Sequence, residues 1–291
     1  MTATLHLTSK KIEDMKKIAL VLTLILTVSQ YSGAQNDSFR RHESLRKSKA
    51  EVQKRSGERT MQKVSQTQMD CFTAKTLNGN GIVLNYREAT INPNASQQPI
   101  LVIYLHGASG RGNDNTTQMR QYGIYSIYDY LNNNNKLNAY FAVPQCPKEN
   151  TWAGGRAETA YVQNIKPLVD YYIKEKGVNP SRIYLFAVSM GGGGAWKMLS
   201  DYPNLFAGSL IASGSARNVK PKNVAKTPVY STIGSLEGED KAKKIEDFSK
   251  QLASFGGDTK FDVLNGLEHG DACVKAFTND RISWVLSHSK P

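Results

Sequence analysis

Two regimes of hydrophobic patterning meet near residue 69 of the 291-residue chain. Before it the large apolar residues gather in one block, Ile18 to Val28, and the polar stretch that follows has no period. After it, short apolar runs bounded by turn residues alternate with stretches of helical spacing. "CFTAKTL" and "GIVLNYREA" flank Asn78-Gly79-Asn80-Gly81 and read as an antiparallel hairpin at a sheet edge. "PILVIYLHG", "AYFAVPQC", "RIYLFAVS", "FAGSLIASG" and "TPVYSTIG" are near-continuous apolar runs, the pattern of strands buried on both faces of a parallel sheet. Between and after them lie helical stretches. "AETAYVQNIKPLVDYYIKEKG" puts Val162, Ile165, Val169 and Ile173 on one face and stops at Gly177, and Pro167 predicts a kink or a later start. "GGAWKMLSDYP" and "EDKAKKIEDFSKQLASFGG" are the other two. This β-α-β order predicts an α/β fold: a mostly parallel central sheet with helices on both faces and an N-terminal antiparallel hairpin.

The first block changes the reading of the N-terminus. Lys16 and Lys17 precede the apolar run, and Ser32 and Ala34 stand three and one residues before a cut after Ala34. Residues 1–34 therefore read as a secretory signal peptide with its natural start at Met15. The competing reading, a membrane anchor, fails on length, because 11 apolar residues do not span a hydrocarbon core of roughly 30 Å. The expected location is periplasmic or secreted, with no membrane span. Removing the leader takes the net charge from +12 to +10. Residues 35–68 read as a basic polar linker and residues 69–291 as one catalytic domain, in keeping with a chain that is 40% hydrophobic and 21% charged. Export argues against a nucleic-acid partner for the basic segment. Cys71, Cys146 and Cys273 make an odd count, so at least one thiol stays unpaired within the chain, and the spacing names no pair. No C-x-x-C or H-E-x-x-H is present, so no metal site is expected. No cofactor is expected, and the oligomeric state is not legible.

The chemistry centres on "LFAVSMGGGGAW", Leu185 to Trp196. Ser189 falls where a strand gives way to a helix, the context of a nucleophile elbow, although Ala187 replaces the first glycine of G-x-S-x-G. A phosphate loop would need a lysine beside a hydroxyl, and a plain glycine turn would need no partners elsewhere. A serine nucleophile requires a base downstream. His269 in "LNGLEHGDA" follows Ser189 as the order serine, acid, histidine demands, whereas His106 in "YLHGASGRG" precedes it. For the acid, Glu237 in "GSLEGED" is the first choice and Asp240 the second, since Glu239 and Asp240 stand where acids serve a helix N-terminus. Backbone N–H groups of Ala108 and Met190 are the expected oxyanion donors, with Gly107 letting the chain turn. His106 reads as a support of this loop. Arg111 and Asp114 read as braces of the loop or as substrate contacts. His106, Arg111 and Trp152 are the candidate substrate-binding residues.

Together "YLHGASGRGNDN", "FAVPQCPKENTW", "NPSRIYLFAVSMGGGGAW", "GSLEGED" and "GLEHGDA" resemble the secreted bacterial esterases of the α/β-hydrolase superfamily, from about residue 70 to the end. That group takes in carboxylesterase and phospholipase-like proteins, feruloyl and acetylxylan esterases and polyhydroxybutyrate depolymerase-like proteins. The resemblance implies Ser189 as nucleophile, His269 as base and Glu237 at the acid position, where the family more often has Asp three residues after a His-Gly pair. Here that pair is Ile233-Gly234. It places Trp152 beside the cleft and implies a small-molecule or polysaccharide-linked ester as substrate. Two alternatives stay open at this point: a serine peptidase of the same fold and a non-catalytic carbohydrate-binding protein.

Overall fold

The computed structural model describes residues 63–79, 81–155 and 160–291. The leader and most of the basic linker lie outside the described residues. Ser65 and Gln68 form a reciprocal capping box on a short helix, α1 (Gln66–Asp70), and Val64 and Met69 pack against the core.

Eight strands follow: β1 (Thr73–Gly79), β2 (Ile82–Ile91), β3 (Ile100–Leu105), β4 (Ala139–Pro144), β5 (Ile183–Val188), β6 (Gly208–Ala212), β7 (Val229–Gly234) and β8 (Thr259–Leu264). They form one sheet in the order β1-β2-β4-β3-β5-β6-β7-β8. β1 and β2 are the expected hairpin; β2 also runs antiparallel to β4, and every other pairing is parallel. The central strands have no polar face because both faces are covered. In β5 every residue is buried, with Tyr184, Phe186 and Val188 in one apolar cluster and Ile183, Leu185 and Ala187 in the other. The alternation of a pleated strand thus feeds two cores. Each such aliphatic side chain contributes about 1.5–3 kcal/mol by leaving water.

One face is covered by α2 (Ile124–Asn132), which buries Ile124, Ile127 and Leu131, and by the C-terminal helix α8 (Asn279–Leu286). The other carries α3 (Ile165–Lys176), α4 (Met190–Asp201) and α6 (Glu239–Ser254). Two shorter helices, α5 (Pro221–Val224) and α7 (His269–Lys275), complete the set among the described residues. Pro167 acts through a later start: α3 begins at Ile165 after a 3-10 turn, which puts the proline in the first turn, where its missing N–H costs nothing. Gly177 then ends the helix in the left-handed region, at φ 64°. α2 lies in a stretch for which the sequence pattern predicts no element. No helix among the described residues is long and apolar enough to cross a membrane. All three cysteines are unpaired, with Cys146 and Cys273 buried.

Candidate active site

Four adjacent strands, β5 to β8, each deliver one polar residue just beyond their carboxyl ends: Ser189, Ser213, Glu237 and His269. Ser189 sits between β5 and α4 with φ 56° and ψ −117°, a conformation unfavourable for a residue with a Cβ. Its N–H donates to the Ala212 carbonyl at 2.8 Å, which pins the turn to β6. The glycines after it have separate jobs. A Cβ on Gly191 would stand 2.0 Å from the Leu105 carbonyl oxygen, one on Gly192 would stand 2.7 Å from Cα of Gly214, and one on Gly194 would stand 2.4 Å from Cβ of Trp152. Three glycines therefore let α4 press against the end of β3, the loop after β6 and the Trp152 segment. Gly193 faces the cleft, and its nearest neighbour would be 3.8 Å away.

The Ser189 hydroxyl lies 2.8 Å from Nε2 of His269, and Nδ1 of His269 lies 2.6 Å from Oε2 of Glu237. A carboxylate only accepts hydrogen bonds, so Nδ1 carries the proton and Nε2 is left to accept from the serine. Glu237 stands in a 3-10 turn, Ser235–Glu237, directly after β7. Its side chain is 3% exposed. Burial alone would push its carboxyl up, yet hydrogen bonds from His269, from the Ser213 hydroxyl (2.6 Å) and from the Gly234 N–H (3.0 Å) outweigh burial and hold it below the usual glutamate value. It is therefore ionised at neutral pH. The turn is fastened to the histidine loop: Leu236 N–H donates to Leu267 O, and Gly266 N–H donates to the Ser235 hydroxyl. A Cβ on Gly234 would meet Leu267 O at 2.2 Å, so only glycine lets the two loops close this far. Asp240, the second choice for the acid, is exposed in the first turn of α6. His269 is not in a loop but opens α7.

Ser213 escaped the sequence reading. It holds φ 52°, and its hydroxyl secures the second oxygen of Glu237. No local motif announces it, because the serine acts across 24 residues of chain.

Opposite the serine, Ala108 begins a 3-10 turn, Ala108–Gly110, and Met190 begins α4. First-turn N–H groups have no partner inside their own helix, so both remain available to a ligand. Gly107 is extended, at φ −72°, so it does not serve the turn as expected. It gives room instead: a Cβ there would lie 3.0 Å from Oε1 of Gln121, which accepts the Gly107 N–H, and 3.4 Å from Cβ of Ser189. Gln121 also reaches the Ser109 hydroxyl, and this buried brace is a second residue the sequence did not disclose.

None of the three expected substrate contacts lines the cleft. His106 has no exposed surface; its Nε2 accepts from Cys146 N–H at 3.0 Å, so its Nδ1 carries the proton toward Gly107 O at 2.7 Å. Burial, with a smaller effect of Arg111, pushes it down to about 4 and keeps it neutral. Trp152 is equally buried, its indole N–H donating to His106 O and its ring against His106 and Tyr161. A side chain without exposed surface cannot touch a substrate, so both are supports. The Arg111 guanidinium bonds Ala108, Lys148 and Asn150 carbonyls, fastening the oxyanion loop to the segment after β4. Asp114 braces the same loop through Thr116, Thr117 and Gln145.

The cleft over Ser189 measures about 850 Å³. Ala153, Gly154, Gly155 and Ala160 form one wall, the loop Ser213–Asn218 and the start of α6 form the other, and Ile233 and Ile245 contribute apolar surface. No residue from Arg111 to Asn138 lines it. No group of three or more potential metal ligands exists among the described residues.

No family model matches the chain, and no curated protein matches it. Solved structures do. A thermostable esterase superposes with a TM-score of 0.67 at 22% identity over 76% of this chain, which spans only 64% of that esterase. Est1E from Butyrivibrio proteoclasticus gives 0.55 at 17% identity, over 74% of this chain and 98% of that one. The S-formylglutathione hydrolase of Staphylococcus aureus gives 0.55 at 18%, with the same coverage of 74% and 98%. With the sheet order and the strand–serine–helix turn, these likenesses identify the fold of this chain as that of the α/β-hydrolases.

Proposed function

We propose that the protein is a serine carboxylic-ester hydrolase that works through an acyl-enzyme without a cofactor. The observation that carries this reading is the unbroken relay from the strained Ser189 through His269 to a buried, ionised Glu237, at 2.8 and 2.6 Å. Oγ of Ser189 attacks the ester carbonyl carbon while Nε2 of His269 takes its proton. The carbonyl π electrons move onto oxygen, which the N–H groups of Ala108 and Met190 receive; one such donor is worth about 3–4 kcal/mol in the transition state. Collapse breaks the bond to the alcohol, and the imidazolium returns the proton to the leaving oxygen. Water, deprotonated by the same nitrogen, then repeats the attack and frees the acid. Glu237 holds the imidazole tautomer and offsets the charge of the imidazolium throughout.

The open cleft supports a small ester, or an ester group borne on a polysaccharide, as the substrate class. The leader in residues 1–34 supports export, so the working location is periplasmic or secreted, and a mature chain starting at Gln35 is the expected product. Ser189→Ala tests the chemistry. The parent should hydrolyse p-nitrophenyl acetate and take a fluorophosphonate label, and the variant should do neither while keeping its circular dichroism and melting temperature. Full ester turnover in the variant, or a parent that hydrolyses aminoacyl amides and no esters, overturns the reading.

A further inference from the structure

Among the described residues, three cations line the cleft: Lys197 from α4, Arg217 from the loop after β6 and Lys241 from the first turn of α6. Glu237, the carboxylate that lines the cleft among the described residues, is already taken by His269, Ser213 and the Gly234 N–H. Four helical lysines each have a pairing acid one turn away. Lys166 pairs with Asp170, Lys243 with Asp247, Lys250 with Glu246, and within the cleft Lys197 pairs with Asp201. Arg217 and Lys241 have no such neighbour: neither side chain has an acid or hydrogen-bond partner among the described residues. The position four residues after Lys241, where a helix would carry a pairing acid, is Ile245, whose side chain is part of the cleft surface. Arg217 lies between Ser215 and Asn218, both of which line the cleft, in a loop that turns through the left-handed Asn218 at φ 53°. The wall formed by the ends of β6 and β7 thus combines an apolar surface, Ile233 and Ile245, with two unpaired cations.

We propose that the ester this site takes carries an anionic group, a carboxylate or a phosphate, on the part remote from the scissile bond, and that Arg217 and Lys241 bind it. The inference rests on the serine-hydrolase reading of the same site and narrows its substrate class. A volume of about 850 Å³ accommodates an acyl or alcohol part that runs from Ser189 across Ile233 and Ile245 to the two cations. Both cations are exposed, so each contact is modest and salt-sensitive.

The test compares matched esters at low ionic strength: para-acetoxybenzoate against its methyl ester, methyl hydrogen adipate against dimethyl adipate, and para-acetoxyphenyl phosphate against phenyl acetate. The first two pairs separate alcohol-side from acyl-side recognition, and the third separates phosphate from carboxylate. At least one anionic ester should exceed its neutral match about tenfold in kcat/KM, the scale of two exposed ion pairs, and the ratio should shrink in about 0.5 M salt. The Arg217→Ser/Lys241→Ser double variant should bring that ratio to about one, whereas Lys243→Ser/Lys244→Ser, which removes the same two charges outside the cleft, should keep it. Anionic esters that are all hydrolysed no faster than their matches, or a ratio that survives the double variant, overturn the proposal. If no ester is turned over, the serine-hydrolase reading fails and binding decides. Ser189→Ala titrated calorimetrically with para-acetoxybenzoate and its methyl ester should favour the anion, with the preference lost in the Arg217→Ser/Lys241→Ser background; equal binding or none overturns the proposal.

Discussion

Gly191→Ala and Gly193→Ala are the same chemical change two residues apart on α4, and the packing gives them opposite signs. At Gly191 the new methyl would stand 2.0 Å from Leu105 O, 2.5 Å from its carbonyl carbon and 2.8 Å from His106 O. Ordinary carbon–oxygen contact needs more than 3 Å, roughly, so helix and strand end must part by about 1 Å, and the obstacles are backbone that no rotamer change removes. Overpacking of this kind costs about 3 kcal/mol, and a domain of this size loses roughly 2–4 °C of melting temperature per kcal/mol, so a fall of about 6–12 °C is expected. The same displacement moves Ser189 and the Met190 N–H away from Ala108, and an error of about 1 Å in such a site costs on the order of a hundredfold in kcat/KM. At Gly193 the methyl would meet nothing closer than Ser215 O at 3.8 Å. There alanine removes the helical penalty of glycine, up to about 1 kcal/mol, and melting should hold or rise. Thermal unfolding and p-nitrophenyl acetate kinetics on the two variants check this. A Gly191→Ala protein that melts and turns over like the parent, or a Gly193→Ala protein that falls as far as Gly191→Ala, refutes the packing argument.

Glu237→Gln presents the His269 imidazole with an amide that cannot stabilise an imidazolium, so kcat should drop by about two to four orders of magnitude, while Asp240→Ala, a change at an exposed first-turn acid, should leave kcat as it was; steady-state kinetics of both variants check the assignment. The second prediction concerns acid stability. His106 is fully buried, and its value is pushed from 6.5 down to about 4, so below about pH 6.5 the unfolded chain binds a proton that the folded chain refuses. Stability is therefore unaffected above that pH, declines as pH falls toward 4 and levels off below it, for a total of roughly 3 kcal/mol. Urea unfolding across that window reads the decline, and ring-nitrogen NMR should show His106 still in its Nδ1-protonated neutral form near pH 5.

The strands were legible because β3 and β5 are buried on both faces, so they could carry no polar residue, and unbroken apolar runs betray that condition. Ser189, Glu237 and His269 were legible because each follows a strand end in the order the chemistry requires. α2 was not legible, since its apolar positions Ile124, Ile127 and Leu131 are interleaved with Tyr125, Tyr128 and Tyr130, a mixture that gives no clean face without knowing which tyrosines are covered. The resemblance places Trp152 beside the cleft, and His106 adjoins the expected oxyanion loop. In space the chain turns each of them inward, and only the residues beside them, Ala153 to Gly155, reach the opening.

What the sequence could not carry is distance between loops, and the acid shows why that matters. Glutamate is one methylene longer than aspartate, so at a position that suits aspartate its carboxylate has more freedom to miss the imidazole. This chain removes the freedom from two sides. The 3-10 turn folds Glu237 back so that Oε1 takes the Gly234 N–H, and Ser213, held at φ 52°, claims the same oxygen with its hydroxyl. With Oε1 fixed, Oε2 is directed at Nδ1 of His269, and the glycine at 234 lets the histidine loop approach close enough to meet it. Holding a longer acid therefore requires a serine and a glycine that no local motif marks, and Ser213→Ala should lower kcat more than KM by leaving that oxygen to the Gly234 N–H alone.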